Sequence, residues 1–320
     1  MSSSFWASVP ELEALHSKID RRLQHILKNE EHQVAYSLSD LSRRGKRIRP
    51  LLVMLSAGWG ETEEDSLLDL ACAIEILHLA TLVHDDIIDN SKLRRGSPSL
   101  FALAGKRNAI LLGDYLLALA VELVAKTTSF DNGIIIATGI KAIASGEIQQ
   151  NTDRYKLIMS KRRAIKKIIR KTGALFMLSC YSGTVKSGQE AVLGEKFRRI
   201  GYSLGAAFQL QDDLLDLNGD PKKVGKPLGW DLKNGYYTLP VILACEESTF
   251  LESTLANGKP NFIRRKRLLR AYQSTNALSK TKDLTTHYMQ RSIKDIDSLP
   301  DNPNKDLLKK MVHLLLVRDY

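Results

Sequence analysis

No proline occurs between Pro98 and Pro221, and apolar residues recur through this stretch at spacings of three and four. The clearest runs cover residues 109–125 and 197–217. A chain that lacks proline and repeats apolar side chains at this period forms helices that bury one stripe against their neighbours. We find no convincing alternating pattern of the kind typical of strands. The sequence therefore predicts an all-α protein whose long helices pack into one large bundle.

Length and composition are those of a folded protein. The 320 residues, 43% of them hydrophobic, suffice for one large domain or two small ones. Because no linker-like segment separates the helical runs, we expect a single domain over residues 1–320. The most loop-like segment, Gly219–Gly229, is interpreted as a connection between two helices.

Several protein classes are disfavoured by the pattern of polar residues. Glu75 and His78 interrupt one apolar run and Asp114 and Glu122 another, which argues against membrane spans, and the N-terminus lacks the pattern of a signal peptide. The three cysteines lie in apolar helical contexts without CxxC spacing, as expected of core residues in a reducing compartment. We therefore expect a cytoplasmic protein.

The formal net charge of +11 suits an anionic partner. The basic residues are not interleaved with aromatic ones, so we expect no nucleic acid. A polyanionic substrate, or peripheral contact with an anionic membrane surface, fits this balance better. The densest basic run, Lys161–Lys171, has a helical pattern and is predicted to be mostly a solvated face.

The most specific signal is an aspartate pair followed three residues later by a third aspartate, which occurs twice, each time after an apolar helical run. On a helix the first and last members of such a triplet lie about 40° apart, so three carboxylates crowd one turn and repel one another. Mg²⁺, which binds through a few carboxylates and substrate phosphate oxygens, would relieve that repulsion. One copy alone is explained by a solvated helix end, whereas two copies predict clusters that face each other across a bundle and clamp a diphosphate. The members are Asp85, Asp86 and Asp89 in the first cluster and Asp212, Asp213 and Asp216 in the second.

Basic residues accompany both clusters. The segment Gly45–Pro50 opens a helical run, where anions bind readily, and it contains Lys46 and Arg49. Arginine grips phosphate oxygens through a planar fork, while lysine acts as a movable point charge. Further candidates for binding an anion are Arg94, Arg95, Lys171 and Lys226.

Taken together, these motifs resemble those of the trans-isoprenyl diphosphate synthases, the polyprenyl synthetase family. The resemblance covers nearly the whole chain, from Gly45 to Leu232, and implies an all-α bundle around a deep central cavity, of the isoprenoid synthase type, in a protein that is usually dimeric. The stretches that carry it are Gly45–Pro50, His84–Asp89, Leu93–Gly96, Lys171–Thr172, Phe208–Asp216 and Gly225–Pro227.

The resemblance implies a role for each matching position. Direct ligands of Mg²⁺, three ions in all, would be Asp85, Asp89 and Asp212, supported by Asp86, Asp213 and Asp216. The allylic diphosphate would be held by Arg94, Lys171 and Lys226. Isopentenyl diphosphate would be held by Lys46, Arg49, His78 and Arg95. The residues beside the reacting carbons would be Thr172 and Gln209.

Two of these positions have alternative explanations from the residues themselves. His78 lies one helical turn after Glu75 and, taken alone, is better explained as its buried partner; the accompanying motifs favour the substrate-binding role. Gln209 is equally explained as a hydrogen-bonded amide of the core.

The implied reaction extends an allylic prenyl diphosphate by one isopentenyl unit in each cycle. The Phe5-Trp6 start and the motif spelling are similar to the catalytic subunits of two-component hexaprenyl and heptaprenyl synthases, so the expected partner is a second copy or a small subunit. The alternatives are a farnesyl- or geranylgeranyl-type short-chain synthase, a weakly active subunit that needs a partner, a non-catalytic regulatory paralogue and a terpene cyclase.

One position departs from the pattern of the resembled family. The family commonly has Gly-Lys-x-Thr-Leu-Pro after the second cluster, whereas this chain has Gly235-Tyr236-Tyr237-Thr238-Leu239-Pro240. Tyrosine thus replaces a lysine that usually touches the allylic diphosphate, and one positive charge is missing. Lys233 or a hydrogen bond from Tyr236 itself is the candidate replacement.

Product length is expected to depend on the helical turn before the first cluster. Thr81 and Ala80 lie four and five residues before Asp85, the latter about 7.5 Å down the helix axis. Both side chains are small, so a growing tail can pass, and we expect a product of roughly C30 to C40; close helix packing is the other explanation for small residues here.

Ala80→Phe is expected to shorten the product, because an aromatic ring would close the path of the tail after a few isoprenyl units. Mass analysis of the products formed from isopentenyl and farnesyl diphosphates measures this, with Ala80→Ser as the control that preserves size. A product distribution that phenylalanine leaves unchanged would show that the tail takes another route.

Overall fold

The computed structural model describes residues 5–30, 38, 45–94, 97–189, 191–219, 228–258 and 262–316, and helices dominate them, so the all-α prediction is confirmed. A short ribbon, β1 (Leu93–Arg94) paired antiparallel with β2 (Ser97–Pro98), is the only β-structure in these ranges. A π-helical turn, Ile169–Gly173, joins α6 to α7. The helices are α1 Pro10–Lys28, α2 Ile48–Ala57, α3 Glu64–Ile88, α4 Leu100–Thr127, α5 Phe130–Thr152, α6 Lys161–Ile168, α7 Ala174–Lys186, α8 Ala191–Asn218, α9 Trp230–Asn234, α10 Leu239–Cys245, α11 Thr249–Ala256, α12 Phe262–Gln273, α13 Ala277–Asp297 and α14 Asn304–Leu316.

Two compact units divide the chain, and each is assembled from three separate stretches. Neither unit is a contiguous piece of sequence, and the expectation of one domain over residues 1–320 stays a prediction. Unit 1 comprises Met1–Thr138, Leu175–Arg198 and Ile296–Met311, and unit 2 comprises Gly139–Ala174, Arg199–Asp295 and Val312–Tyr320.

Helix α3 forms the interior of unit 1, where it packs against α1, α2 and α4. Nearly every residue from Leu67 to Ala80 is buried, so the helix is covered around its whole circumference, as a core helix must be. By length and composition alone, α3 and α4 would both qualify as membrane spans, so the polar interruptions in the sequence do not exclude one. Packing separates the two helices, because 72% of the apolar window of α3 is buried inside the protein against 33% for α4.

A buried arginine joins the first three helices. Arg47, at the N-cap of α2, is only 2% exposed, and its guanidinium donates to Asp20 of α1 at 2.6 Å and to Glu75 of α3 at 2.8 Å. A guanidinium taken out of water needs both carboxylates, since an unpaired buried charge is strongly destabilising. Arg47 is therefore structural, and its hold on Glu75 weakens the alternative role of His78 as the partner of that carboxylate.

The cysteines behave as core residues, as the sequence indicates. Cys72, Cys180 and Cys245 are free thiols and all are buried. Burial raises the pKa of Cys180 to about 12 and, together with the nearby Glu252 carboxylate, that of Cys245 to about 12. Thiols with such pKa values are poor nucleophiles and poor metal ligands at neutral pH.

Arg47→Met is expected to lower the free energy of unfolding by about 3–5 kcal/mol, because it leaves Asp20 and Glu75 without their counter-charge. Urea denaturation measures the loss. Arg198→Met is the control, since Arg198 pairs with Glu195 at an exposed site on α8, where about 1 kcal/mol or less is at stake. A loss no larger for Arg47→Met than for Arg198→Met would contradict the structural role.

Candidate functional site

The first aspartate cluster lies at the C-terminal end of α3. Asp85 and Asp86 are in its last turn, and Asp89 caps it by donating its backbone N–H to the Asp85 carbonyl at 2.9 Å. A helix C-terminus carries partial negative charge, so carboxylates gathered there require cations. Asp86 is buried, whereas Asp85 and Asp89 are half-exposed.

Arg94 is the cation beside this cluster. It comes from β1, and its Nε and Nη2 donate to the two carboxylate oxygens of Asp86 at 2.7 and 2.8 Å. A further contact runs from Nη2 to the Leu82 carbonyl at 3.4 Å. Because this fork is engaged with Asp86, the predicted contact of Arg94 with a diphosphate has to use Nη1 or exchange one of these bonds. Two other predicted anion-binding residues, Arg95 and Lys226, lie outside the described residues.

The remaining predicted residues of unit 1 lie on α2 and α3 or just before them. Lys46 and Arg49 are half-buried beside aromatic rings, with Lys46 Nζ 3.7 Å from the centroid of Phe5 and Arg49 Cζ 5.0 Å from that of Phe176. His78 is also half-buried. Ala80 and Thr81, which are expected to control product length, lie on α3. Ala80 is 2% exposed, and the Thr81 hydroxyl donates a hydrogen bond to the His78 carbonyl at 2.7 Å.

The second cluster occupies the end of α8, in unit 2. Asp213 is buried there and accepts a hydrogen bond from Gln209 Nε2 at 2.8 Å, while Asp212 is half-exposed. Burial raises the pKa of Asp213 well above its ordinary range. The nearby carboxylates of Asp231, Asp212 and Asp216 act in the same direction, and the Gln209 hydrogen bond opposes them.

Gln209 links Asp213 to the π-helical turn. Its Oε1 accepts the Thr172 hydroxyl, so the predicted pair Thr172 and Gln209 are in direct contact, and both ends of the Gln209 amide are hydrogen-bonded. Wide turns of this kind interrupt helices most often at functional sites. Lys171 in the same turn pairs with Glu147 of α5 at 3.1 Å. The basic run around it is only partly a solvated face, because Arg163 and Lys167 also pair with the buried Asp153.

Asp216, the last member of the second cluster, receives backbone donors. The N–H groups of Trp230 and Asp231, at the start of α9, donate to its two oxygens at 3.1 and 3.2 Å. The carboxylate thereby fixes the position of α9 relative to the end of α8. Residues 220–227, in the segment between α8 and α9, are outside the described part of the chain.

The turn with the family departure follows α9. Gly235 has φ +82°, and a Cβ there would lie 2.5 Å from the ring of Tyr155, so glycine is needed for both its conformation and the close approach. Arg154 donates from Nε to the Asn234 carbonyl, and its Cζ lies 5.5 Å from the centroid of the Tyr236 ring. Sequence analysis missed Arg154, because nothing in a single sequence relates it to a turn so far along the chain.

The donor set suits Mg²⁺ held jointly with a substrate. Among the described residues, no three His, Cys, Asp or Glu side chains converge closely enough to enclose a metal ion. Mg²⁺ is usually bound through one or two carboxylates and substrate phosphates, with several waters, rather than by an all-protein cage. Half-exposed carboxylates at a helix end fit that mode of binding.

Comparison with known proteins decides the family. A model of the polyprenyl synthetase family matches residues 31–272, about three quarters of the chain. The chain belongs to the polyprenyl synthetase family. Component 2 of the heptaprenyl diphosphate synthase of Geobacillus stearothermophilus is 33% identical over 281 residues, which cover 88% of each chain.

Solved structures of other polyprenyl synthetases share this fold. Heptaprenyl diphosphate synthase from Staphylococcus aureus matches with a TM-score of 0.92 and 28% identity, over 97% of this chain and 99% of the other. A polyprenyl synthase from Caulobacter crescentus, complexed with calcium and isoprenyl diphosphate, matches with a TM-score of 0.89 and 30% identity over 99% of each chain. The fold is therefore the isoprenoid synthase bundle, and the protein is a prenyltransferase of the polyprenyl diphosphate synthase class.

Asp213→Asn is expected to stabilise the metal-free protein at pH 7, because the ionised Asp213 carboxylate is disfavoured by burial. The Asp213 pKa is higher in the native state than in the unfolded state, where it is about 3.9. The native protein is therefore most stable below about pH 4, and it loses that part of its stability as the pH rises through the native pKa. The gain from asparagine should therefore be near zero below about pH 4 and largest above the raised pKa, with about 1.4 kcal/mol for every tenfold change in the acid dissociation constant.

Thermal denaturation in EDTA at a series of pH values measures this gain. Asp301→Asn, at a fully exposed carboxylate, is the control and should show little change between the same pH values. A gain for Asp213→Asn that does not depend on pH would contradict the burial effect.

Proposed function

We propose that this protein is a Mg²⁺-dependent prenyltransferase that condenses isopentenyl diphosphate with an allylic prenyl diphosphate to make a medium- or long-chain polyprenyl diphosphate. The observation that carries the proposal is the shared construction of the two clusters. In each, the second aspartate is buried and held by a neighbouring donor, Asp86 by Arg94 and Asp213 by Gln209. The first aspartate of each pair stays half-exposed, where a hydrated cation can reach it.

Three Mg²⁺ ions are assigned to Asp85, Asp89 and Asp212, with Asp86, Asp213 and Asp216 as supporting residues. Bound Mg²⁺ supplies Lewis-acid assistance to the departure of the diphosphate. The Caulobacter relative, complexed with calcium and isoprenyl diphosphate, supports the assignment, because Ca²⁺ and Mg²⁺ are both hard cations that prefer oxygen ligands.

The basic residues divide between the two substrates. Lys171, Arg94 and Lys226 are assigned to the allylic diphosphate, and Lys46, Arg49, His78 and Arg95 to isopentenyl diphosphate. Holding two diphosphates in a fixed orientation lowers the entropic cost of bringing the reacting carbons together.

Thr172 and Gln209 are assigned to the stabilisation of positive charge on the reacting carbon. The Thr172 hydroxyl proton is committed to Gln209 Oε1, so the lone pairs of the threonine oxygen are what it can present to a substrate. Gln209 in turn is held by Asp213, which fixes the orientation of the amide. Preorganised dipoles of this kind stabilise developing charge without reorganising during the reaction.

In the proposed reaction the allylic carbon–oxygen bond breaks, and a carbon–carbon bond forms with the terminal carbon of the isopentenyl double bond. The proton then leaves to the released diphosphate, so no side chain is assigned as the base. Water must be kept from the cation until the double bond reaches it, as the apolar cavity implied by the family resemblance would do.

Product length and assembly are the finer parts of the proposal. The small side chain of Ala80 and the heptaprenyl synthases among the relatives support a product of about C30 to C40, with a short-chain synthase as the alternative. Close helix packing is the other explanation for a small residue that is only 2% exposed. We propose a homodimer or a complex with a small subunit, in the cytoplasm, with peripheral membrane contact and without nucleic acid. The name "component 2" of a relative supports a second subunit, as do large apolar side chains exposed on α4: Leu103, Ile110, Leu111 and Val121.

Asp85→Ala and Asp212→Ala are each expected to lower turnover by at least about 100-fold, because each removes a half-exposed carboxylate assigned to Mg²⁺. The measurement is mass analysis of products from isopentenyl and farnesyl diphosphates with Mg²⁺, with circular dichroism to show that the helices persist. Asp283→Ala, at an exposed aspartate of α13, is the control.

Near-normal turnover by either variant would contradict the metal assignment. A wild-type chain that is inactive alone would favour the alternative in which a partner subunit is required.

A further inference from the structure

The missing lysine at position 236 leaves an unexplained deficit of charge. If the proposed function holds, a diphosphate that carries several negative charges binds beside a turn in which this chain has tyrosine. The two replacements suggested by the sequence differ from a lysine at position 236. Lys233 is exposed, with Nζ 4.3 Å from the ring centroid of Trp230, and a tyrosine side chain adds no positive charge at position 236.

A different cation lies beside Tyr236. The guanidinium carbon of Arg154 is 5.5 Å from the centroid of the Tyr236 ring and 5.3 Å from that of Tyr155. Its Nε donates to the Asn234 carbonyl, which fixes the side chain to the end of α9. The planar fork of Nη donors remains to bind oxyanions, and cation–π contacts leave the full charge of the guanidinium in place.

The same short helix connects Arg154 to the second aspartate cluster. The first turn of α9 donates two backbone N–H groups to Asp216, and its last residue accepts from Arg154. The helix has five residues, about 7.5 Å in length, and the Tyr236 N–H donates to the Asp231 carbonyl within it at 2.9 Å. Arg154 is thereby positioned relative to a member of the proposed metal-binding cluster through a rigid connection.

Two neighbouring cations are paired within the protein. Arg163 and Lys167 both pair with the buried carboxylate of Asp153. Among the described residues, no carboxylate lies within ion-pair distance of Arg154, which differs from these neighbours in having its charge uncompensated there. If Arg154 only held the turn in place, its hydrogen bond to the Asn234 carbonyl would be sufficient. The positive charge on its two Nη atoms would then have no role.

We propose that Arg154 binds the diphosphate of the allylic substrate and supplies the positive charge that the tyrosine at position 236 omits. The arginine at position 154 thus compensates for the tyrosine at position 236. The cation comes from the segment after α5 instead of from the turn that follows α9. Tyr236 then serves as a flat surface that orients the guanidinium.

Four variants separate charge from packing. Arg154→Met removes the charge and keeps most of the stem, Arg154→Lys keeps the charge, and the double variant Arg154→Met/Tyr236→Lys restores a cation at the position used by the family. Arg162→Met, at an exposed arginine of α6 in the same unit, is the control. The readouts are the KM values for farnesyl and isopentenyl diphosphates and, independently of turnover, the affinity for inorganic pyrophosphate with Mg²⁺ by calorimetry.

Arg154→Met is expected to raise the KM for farnesyl diphosphate and the Kd for pyrophosphate by about tenfold or more, as for the loss of one charge-assisted hydrogen bond. The KM for isopentenyl diphosphate should change less than about twofold. Arg154→Lys and the double variant should each recover most of the lost affinity. If the role of Arg154 were purely structural, a lysine at position 236 could not restore binding.

Unchanged KM and Kd values in Arg154→Met would overturn the proposal, as would a loss that neither lysine variant recovers. If Arg154→Met does not fold, the KM and Kd values of Arg154→Lys, which keeps the charge, can be compared with those of Arg154→Gln, which removes it. A wild-type protein that binds pyrophosphate but turns over no allylic diphosphate would count against the proposed function, and the pyrophosphate Kd values would still decide the role of Arg154.

Discussion

Repulsion among carboxylates at helix C-termini is the constraint on which the rest of the site depends. Each cluster adds three aspartates to a helix end that already carries partial negative charge, so the arrangement is unfavourable unless cations or donors surround it. In both clusters the buried aspartate is held by a fixed partner, a guanidinium for Asp86 and an amide for Asp213. The partners differ in charge. Burial raises the pKa of Asp213 well above the ordinary range, and the hydrogen bond from the uncharged Gln209 amide opposes this only in part.

The basic residues at the start of α2 divide between a structural role and a proposed substrate-binding role. Arg47, in its middle, is buried and joins α1, α2 and α3 through Asp20 and Glu75. Lys46 and Arg49, on either side, are half-buried beside aromatic rings, and they are two of the four residues proposed to bind isopentenyl diphosphate. A buried charge must be paired within the protein, whereas a charge that binds substrate must remain accessible, so adjacent residues of the same type serve different purposes.

The turn after α9 shows how a family position can change while the surrounding geometry is kept. Gly235 is required by its left-handed conformation and by the ring of Tyr155, and these constraints do not depend on the side chain at position 236. Tyrosine is therefore tolerated there, and its ring lies against Arg154. In this view the electrostatic requirement of the substrate is met by a residue from another segment.

The sequence by itself determined the all-α class and the positions of both aspartate clusters, because periodicity and motif spacing are local properties of the chain. The family was indicated by the resemblance of the motifs and shown by the comparisons. It could not decide whether α3 is a core helix, since hydropathy is the same for a buried helix and a membrane span; burial of the helix decided that. Nor could it separate Arg47 from Lys46 and Arg49, or relate Arg154 to a turn 80 residues later. Those distinctions depend on contacts between distant segments, and such contacts exist only after the helices have packed.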